Sequence, residues 1–117
     1  MMEIIRKINI ASNKLSELKT EIKLLSFKME LLRERYDVDS TSVEKEFDFL
    51  NKQFNFLRKK NDKFIDVAHE IILSAKELAE EEQTLARGLQ DISDQCRDEY
   101  DKMNSAMVKI CIKHFKN

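Results

Sequence analysis

VEKEFDFLNKQFNFLRKKNDKFIDVAHEIILSAKELAEEEQTLARGLQDISDQC, residues Val43–Cys96, decides the fold. Apolar side chains recur along it at alternating steps of four and three: Val43, Phe47, Leu50, Phe54, Leu57, Phe64, Ala68, Ile71, Ala75, Leu78, Leu85, Leu89, Ile92, Cys96. Asn61 and Glu82 interrupt the series. Steps of four and three place all of these on one stripe of an α-helix, and such a stripe must be covered by other helices. No proline breaks the stretch.

Composition agrees. The chain of 117 residues is 37% charged and 42% hydrophobic, with one glycine and no proline, which is close to long-helix usage. Tight turns draw on Gly, Pro, Asn and Asp, so this composition predicts very few turns. The length fits a single helical domain spanning 1–117.

Working outward, the N-terminal side carries a second stripe: Ile4, Ile8, Ala11, Leu15, Leu18, Ile22, Leu25, Met29, Leu32, Tyr36. It predicts a first helix over about 3–36. Asp37-Val38-Asp39-Ser40 favours local backbone bonding and marks a turn over 37–41. Thr41-Ser42-Val43-Glu44 matches a capping box, which opens a second helix at about 42. A connection this short lays the two helices antiparallel.

The expected fold is therefore all-α: an antiparallel helical hairpin or coiled coil with one short and one long helix. Unbroken from 42 to 115, the second helix would be a rod of roughly 110 Å against roughly 50 Å for the first. The alternative is a three-helix bundle with a break near Gly88, since glycine ends many helices. The stripe keeps step across Gly88 through Leu85, Leu89 and Ile92, which favours continuity. Ser74-Ala75-Lys76-Glu77 also spells a capping box, but Ile71-Ile72-Leu73 precedes it without loop residues, which argues against a start there. After Cys96 the stripe continues as Tyr100, Met103, Met107 and Ile110. Two successive four-residue steps there predict a stutter.

A first helix too short to cover the rod leaves part of the stripe bare. This predicts a protein partner, either a second copy or helices of another subunit, on an interface of Ala68, Ile71, Ile72, Ala75, Leu78, Leu85, Leu89 and Ile92. Phe49 and Phe56, seven apart on the flank of the stripe, suggest burial in the same assembly or a second interface. Asn61 and Glu82 lie where the seam opens to solvent, or else set its register, as a buried polar residue can.

Charge and chemistry exclude more than they suggest. Net charge is −1, which gives no invitation to nucleic acid. Residues 66–101 carry three Lys/Arg against eleven Asp/Glu, whereas residues 102–117 carry four against none. That basic, apolar tail supports an alternative reading as a membrane-associated helical module, with Val108, Cys111, Ile112 and Phe115 on one side. No apolar run is long enough to span a bilayer or serve as a secretory signal. Cys96 and Cys111, about 22 Å apart on one helix, cannot bond to each other, so reduced thiols in a cytoplasmic setting are expected. Cys111 and His114 lie one turn apart, but two ligands do not make a metal site. No phosphate loop and no acid–base constellation appears. The expectation is a non-enzymatic interaction subunit without cofactor or metal.

Overall fold

The computed structural model describes residues 2–35 and 40–115, with side chains over 3–34 and 44–112. Three helices follow one another: α1 (Met2–Arg35), α2 (Ser40–Ala75) and α3 (Glu80–Phe115). They pack side by side into a bundle of 58 × 18 × 17 Å. Cross-helix contacts fix their directions. Lys19 Nζ donates to Gln95 Oε1 at 2.7 Å and Lys23 pairs with Glu99 at 3.9 Å, so α1 and α3 run parallel. Lys60 pairs with Glu21 at 3.6 Å and Lys14 lies over the Phe64 ring at 5.8 Å, so α1 and α2 run antiparallel.

The all-helical expectation holds, but the long rod does not form. The second helix ends at Ala75 and the chain folds back over 76–79. The break is also not at Gly88, which lies inside α3 with no positive φ. Energy explains the outcome. Straight helix across 76–79 saves a few backbone hydrogen bonds, each worth about 1 kcal/mol net. Folding back buries Leu89, Met103, Met107 and Ile110 within one chain, each contributing about 1.5–3 kcal/mol. The fold-back wins.

The turn makes no use of the Ser74-Ala75-Lys76-Glu77 capping box, in line with the argument against a helix start there. Ser74 Oγ donates to the Glu70 carbonyl at 3.0 Å, back into α2, and so caps nothing ahead of it. The Leu78 amide reaches the Ala75 carbonyl at 3.1 Å. Gln83 then closes the turn from α3, its Nε2 donating to the carbonyls of Leu78 at 2.7 Å and Lys76 at 3.2 Å. At the other connection, α2 begins at Ser40, two residues before the expected start at 42, and the Thr41 side chain of the expected capping box lies outside the described residues. The turn residues 37–39, with Tyr36 at the end of the first stripe, lie outside the described residues.

The core follows the stripes. Every α1 stripe residue from Ile8 to Leu32 is buried, and Ile4 packs against them. In α3 the buried stripe is Glu82, Ala86, Leu89, Ser93, Cys96, Met103, Met107 and Ile110, with Tyr100 half-buried. Its steps alternate four and three throughout once Ala86 and Ser93 replace Leu85 and Ile92. The expected stutter after Cys96 is therefore absent from α3.

Gly88 now has a defined role as an exposed mid-helix residue, and nothing lies within 4 Å of where its Cβ would be. Gly88→Ala should raise stability by up to about 1 kcal/mol, because alanine loses less backbone entropy on folding. A lower midpoint of thermal unfolding in that variant would place Gly88 in a turn and contradict this fold.

Candidate interaction groove

Alternating steps bury one face of α1 and leave its flank free. Numbering heptads so that Ile8, Leu15, Ile22 and Met29 are position a, the flank nearest α2 consists of positions g and c. On α1 these are Glu21 and Lys28 (g) with Leu24 and Leu31 (c). On α2, with Phe47 and Phe54 as a, they are Glu46 and Gln53 (g) with Phe49 and Phe56 (c). Because the helices are antiparallel, the two flanks meet edge to edge.

Their meeting makes two neighbouring hollows. One, of about 240 Å³, is lined by Glu21, Leu24, Leu25, Lys28, Gln53, Phe56 and Leu57. The next, of about 380 Å³, is lined by Lys28, Leu31, Glu46, Phe49 and Leu50. Leu25, Leu50 and Leu57 are core residues that form the floor. Phe49 and Phe56 stand 58% and 60% exposed, and Leu24 and Leu31 are exposed across from them. Phe27, 61% exposed, is one turn from both leucines and extends the apolar surface along α1. Lys60 Nζ lies 5.1 Å from the Phe56 ring centre, so a cation covers part of that ring's face. Lys28 lines both hollows and has no ion-pair partner among the described residues.

The seam residues expected at an interface lie elsewhere. Ala68, Ile71, Ala75 and Leu89 are buried in the chain's own core, and Ile72, Leu78, Leu85 and Ile92 pack against it. The uncovered length that implied a partner there is covered by α3. Phe49 and Phe56 are exposed and not buried by a neighbouring helix of the chain. Leu24, Phe27 and Leu31 escaped the sequence reading because they fall off the four-three stripe. Their signal was present: Leu24 and Leu31 are seven apart, as Phe49 and Phe56 are.

Asn61 and Glu82 do not open to solvent, since each is 3% exposed. Asn61 Oδ1 accepts from the Cys96 thiol at 3.4 Å, a buried polar contact between α2 and α3. Burial pushes the Cys96 pKa up to about 11 from 9.0, which keeps the donating proton on sulfur at neutral pH. Glu82 Oε2 is buried without a hydrogen-bond partner among the described residues.

For other chemistry the described residues offer little. No group of three or more His, Cys, Asp or Glu side chains among them is placed to hold a metal ion. The His114 side chain lies outside the described residues. Both cysteines are free, Cys96 buried and Cys111 half-buried. In the tail, Met107 and Ile110 face the core while Val108 and Ile112 are exposed. No helix among the described residues is long and apolar enough to cross a membrane. Comparison with known proteins finds no matching family model, no matching curated protein and no matching solved structure.

Proposed function

We propose that this chain is a non-enzymatic interaction subunit that receives an amphipathic helix of another protein in the α1–α2 groove. The observation that carries this reading is the pair of exposed apolar ladders, Leu24 and Leu31 facing Phe49 and Phe56, each at heptad spacing. A helix laid between two antiparallel helices presents its own side chains at the same spacing, so knobs and hollows repeat together. Lys28, between the hollows and without an ion-pair partner among the described residues, calls for a carboxylate at the middle of the incoming helix. The free thiols suit work in a reducing, cytoplasmic setting.

A synthetic helix with leucines at positions a and d, and glutamate where it faces Lys28, is the direct probe. It should bind saturably. Phe56→Asp and Leu31→Asp should each weaken binding at least about tenfold, roughly 1.4 kcal/mol, while leaving the unfolding midpoint nearly unchanged. Binding that ignores both substitutions, or no saturable binding at all, overturns the reading.

The second reading is a module that lies on a membrane surface. It draws support from exposed Val108 and Ile112 beside Lys109. Sedimentation with anionic vesicles separates the two. Protein left in the supernatant at both low and physiological salt removes the membrane reading.

A further inference from the structure

We propose that the α2–α3 turn is a hinge, and that its straightening into continuous helix exchanges α3 between two copies of this chain.

The turn, Lys76-Glu77-Leu78-Ala79, contains none of the usual stop signals. All four residues favour helix, and neither glycine nor a positive φ ends α2. The start of α3 is marked by the acids of its first turn, Glu80, Glu81 and Glu82, but it lacks a capping side chain. Ala79 stands where a capping side chain belongs and has no oxygen to offer. No side chain among the described residues accepts from the amides of Glu80, Glu81 or Glu82. In a straight helix the amides of 79–82 would instead bond the carbonyls of 75–78. The apolar series also runs through the turn as Ala75, Leu78, Glu82, Ala86, with steps of three, four and four. Two successive steps of four are a stutter, which a continuous helix accommodates by local unwinding.

What keeps the turn closed is the packing of α3 and one side chain. Gln83 Nε2 bonds the Leu78 and Lys76 carbonyls, which straight helix would claim for itself. Opening therefore gives up the Gln83 latch and bares the inner face of α3, with Leu89, Cys96, Met103 and Ile110. A bare face of that kind needs a cover, and the one surface already shaped for it is the α1–α2 pair of a second copy. Two opened chains related by a twofold axis satisfy each other. Lys19 to Gln95, Lys23 to Glu99 and Asn61 to Cys96 all re-form, now between copies. Only the turn changes. Each chain then contains a rod over 40–115 of roughly 110 Å, about twice the present long dimension.

The test is refolding the full chain from denaturant at low and high protein concentration, followed by size-exclusion chromatography with light scattering and small-angle scattering. At low concentration the mass should be 13.9 kDa. At high concentration a slowly exchanging species of twice that mass should appear, with a maximum dimension of roughly 110 Å. Gln83→Ala removes the latch and should raise the dimer fraction several-fold. Glu80→Pro should do the opposite. Proline is accepted at the first position of α3, and Ala79 before it is already non-helical. In a straight helix the same proline loses a backbone bond and clashes with the preceding turn, so dimer should fall at least about 100-fold. Phe56→Asp should leave the dimer untouched, which separates exchange from pairing through the groove. A monomer at every concentration in Gln83→Ala, or a Glu80→Pro variant that dimerises as well as the parent, overturns the hinge.

Discussion

Leu89→Asp is expected to unfold the bundle. Leu89 is fully buried at the centre of the α3 stripe. Truncating a leucine in such a place costs about 2–5 kcal/mol through lost contacts and the cavity left behind. Aspartate then adds the cost of a polar group with no partner in an apolar setting, another 1–3 kcal/mol or more. The sum is comparable with the whole stability of a typical domain, about 5–15 kcal/mol. Circular dichroism should show most helicity lost at 37 °C, with the urea midpoint of any residual fold far below that of the parent. An interface residue would behave differently, because its loss would lower the oligomeric mass and spare the helices. Retained helicity with a changed mass would therefore return the α3 stripe to the surface of an assembly.

The two outcomes separate because the stripe was legible in the sequence while its cover was not. The α1 stripe is buried from Ile8 through Leu32 without a miss. Periodicity reports which face of a helix must be hidden, and it is silent on whether the hiding helix belongs to the same chain. At Lys76-Glu77-Leu78-Ala79 the local signals all favour helix, so the fold-back is a tertiary decision that overrides propensity. Gln83 makes that decision visible through its bonds to the turn carbonyls, but a glutamine four residues past a turn is no sequence signal. At Gly88 the stripe was the better guide, since the helix continues through it as Leu85, Leu89 and Ile92 implied and the alternative break is not there. Glycine is the residue type that ends helices, placed here where packing on both sides keeps the helix going.

The groove shows the complementary case. Phe49 and Phe56 could be singled out because aromatics at heptad spacing off the stripe have no core to explain them. Leu24 and Leu31 obey the same rule on α1, but leucines are common in long helices and attract less notice. The juxtaposition of the two pairs depends on α1 and α2 being antiparallel in one register, which Lys60–Glu21 and Lys14 over Phe64 report. Only the structure supplies that register.

Glu82→Leu should stabilise the bundle, the reverse of what most substitutions at a 3% exposed position do. Its Oε2 is buried without a hydrogen-bond partner among the described residues, a state that costs about 1–3 kcal/mol. Leucine fills a similar volume, carries no polar atom, and continues the stripe toward Ala86 and Leu89. Against this, an acid in the first turn of α3 is favoured by the helix dipole by about 0.3–1 kcal/mol. Glu80 and Glu81 remain in that turn and retain most of the effect. The net gain should be about 1–2 kcal/mol, or about 3–10 °C in the midpoint of thermal unfolding. Glu82→Gln is the control, because it keeps a buried polar group of the same shape and should move the midpoint much less. A fall in midpoint for Glu82→Leu, with Glu82→Gln unchanged, would show that a polar group at this position supports the fold.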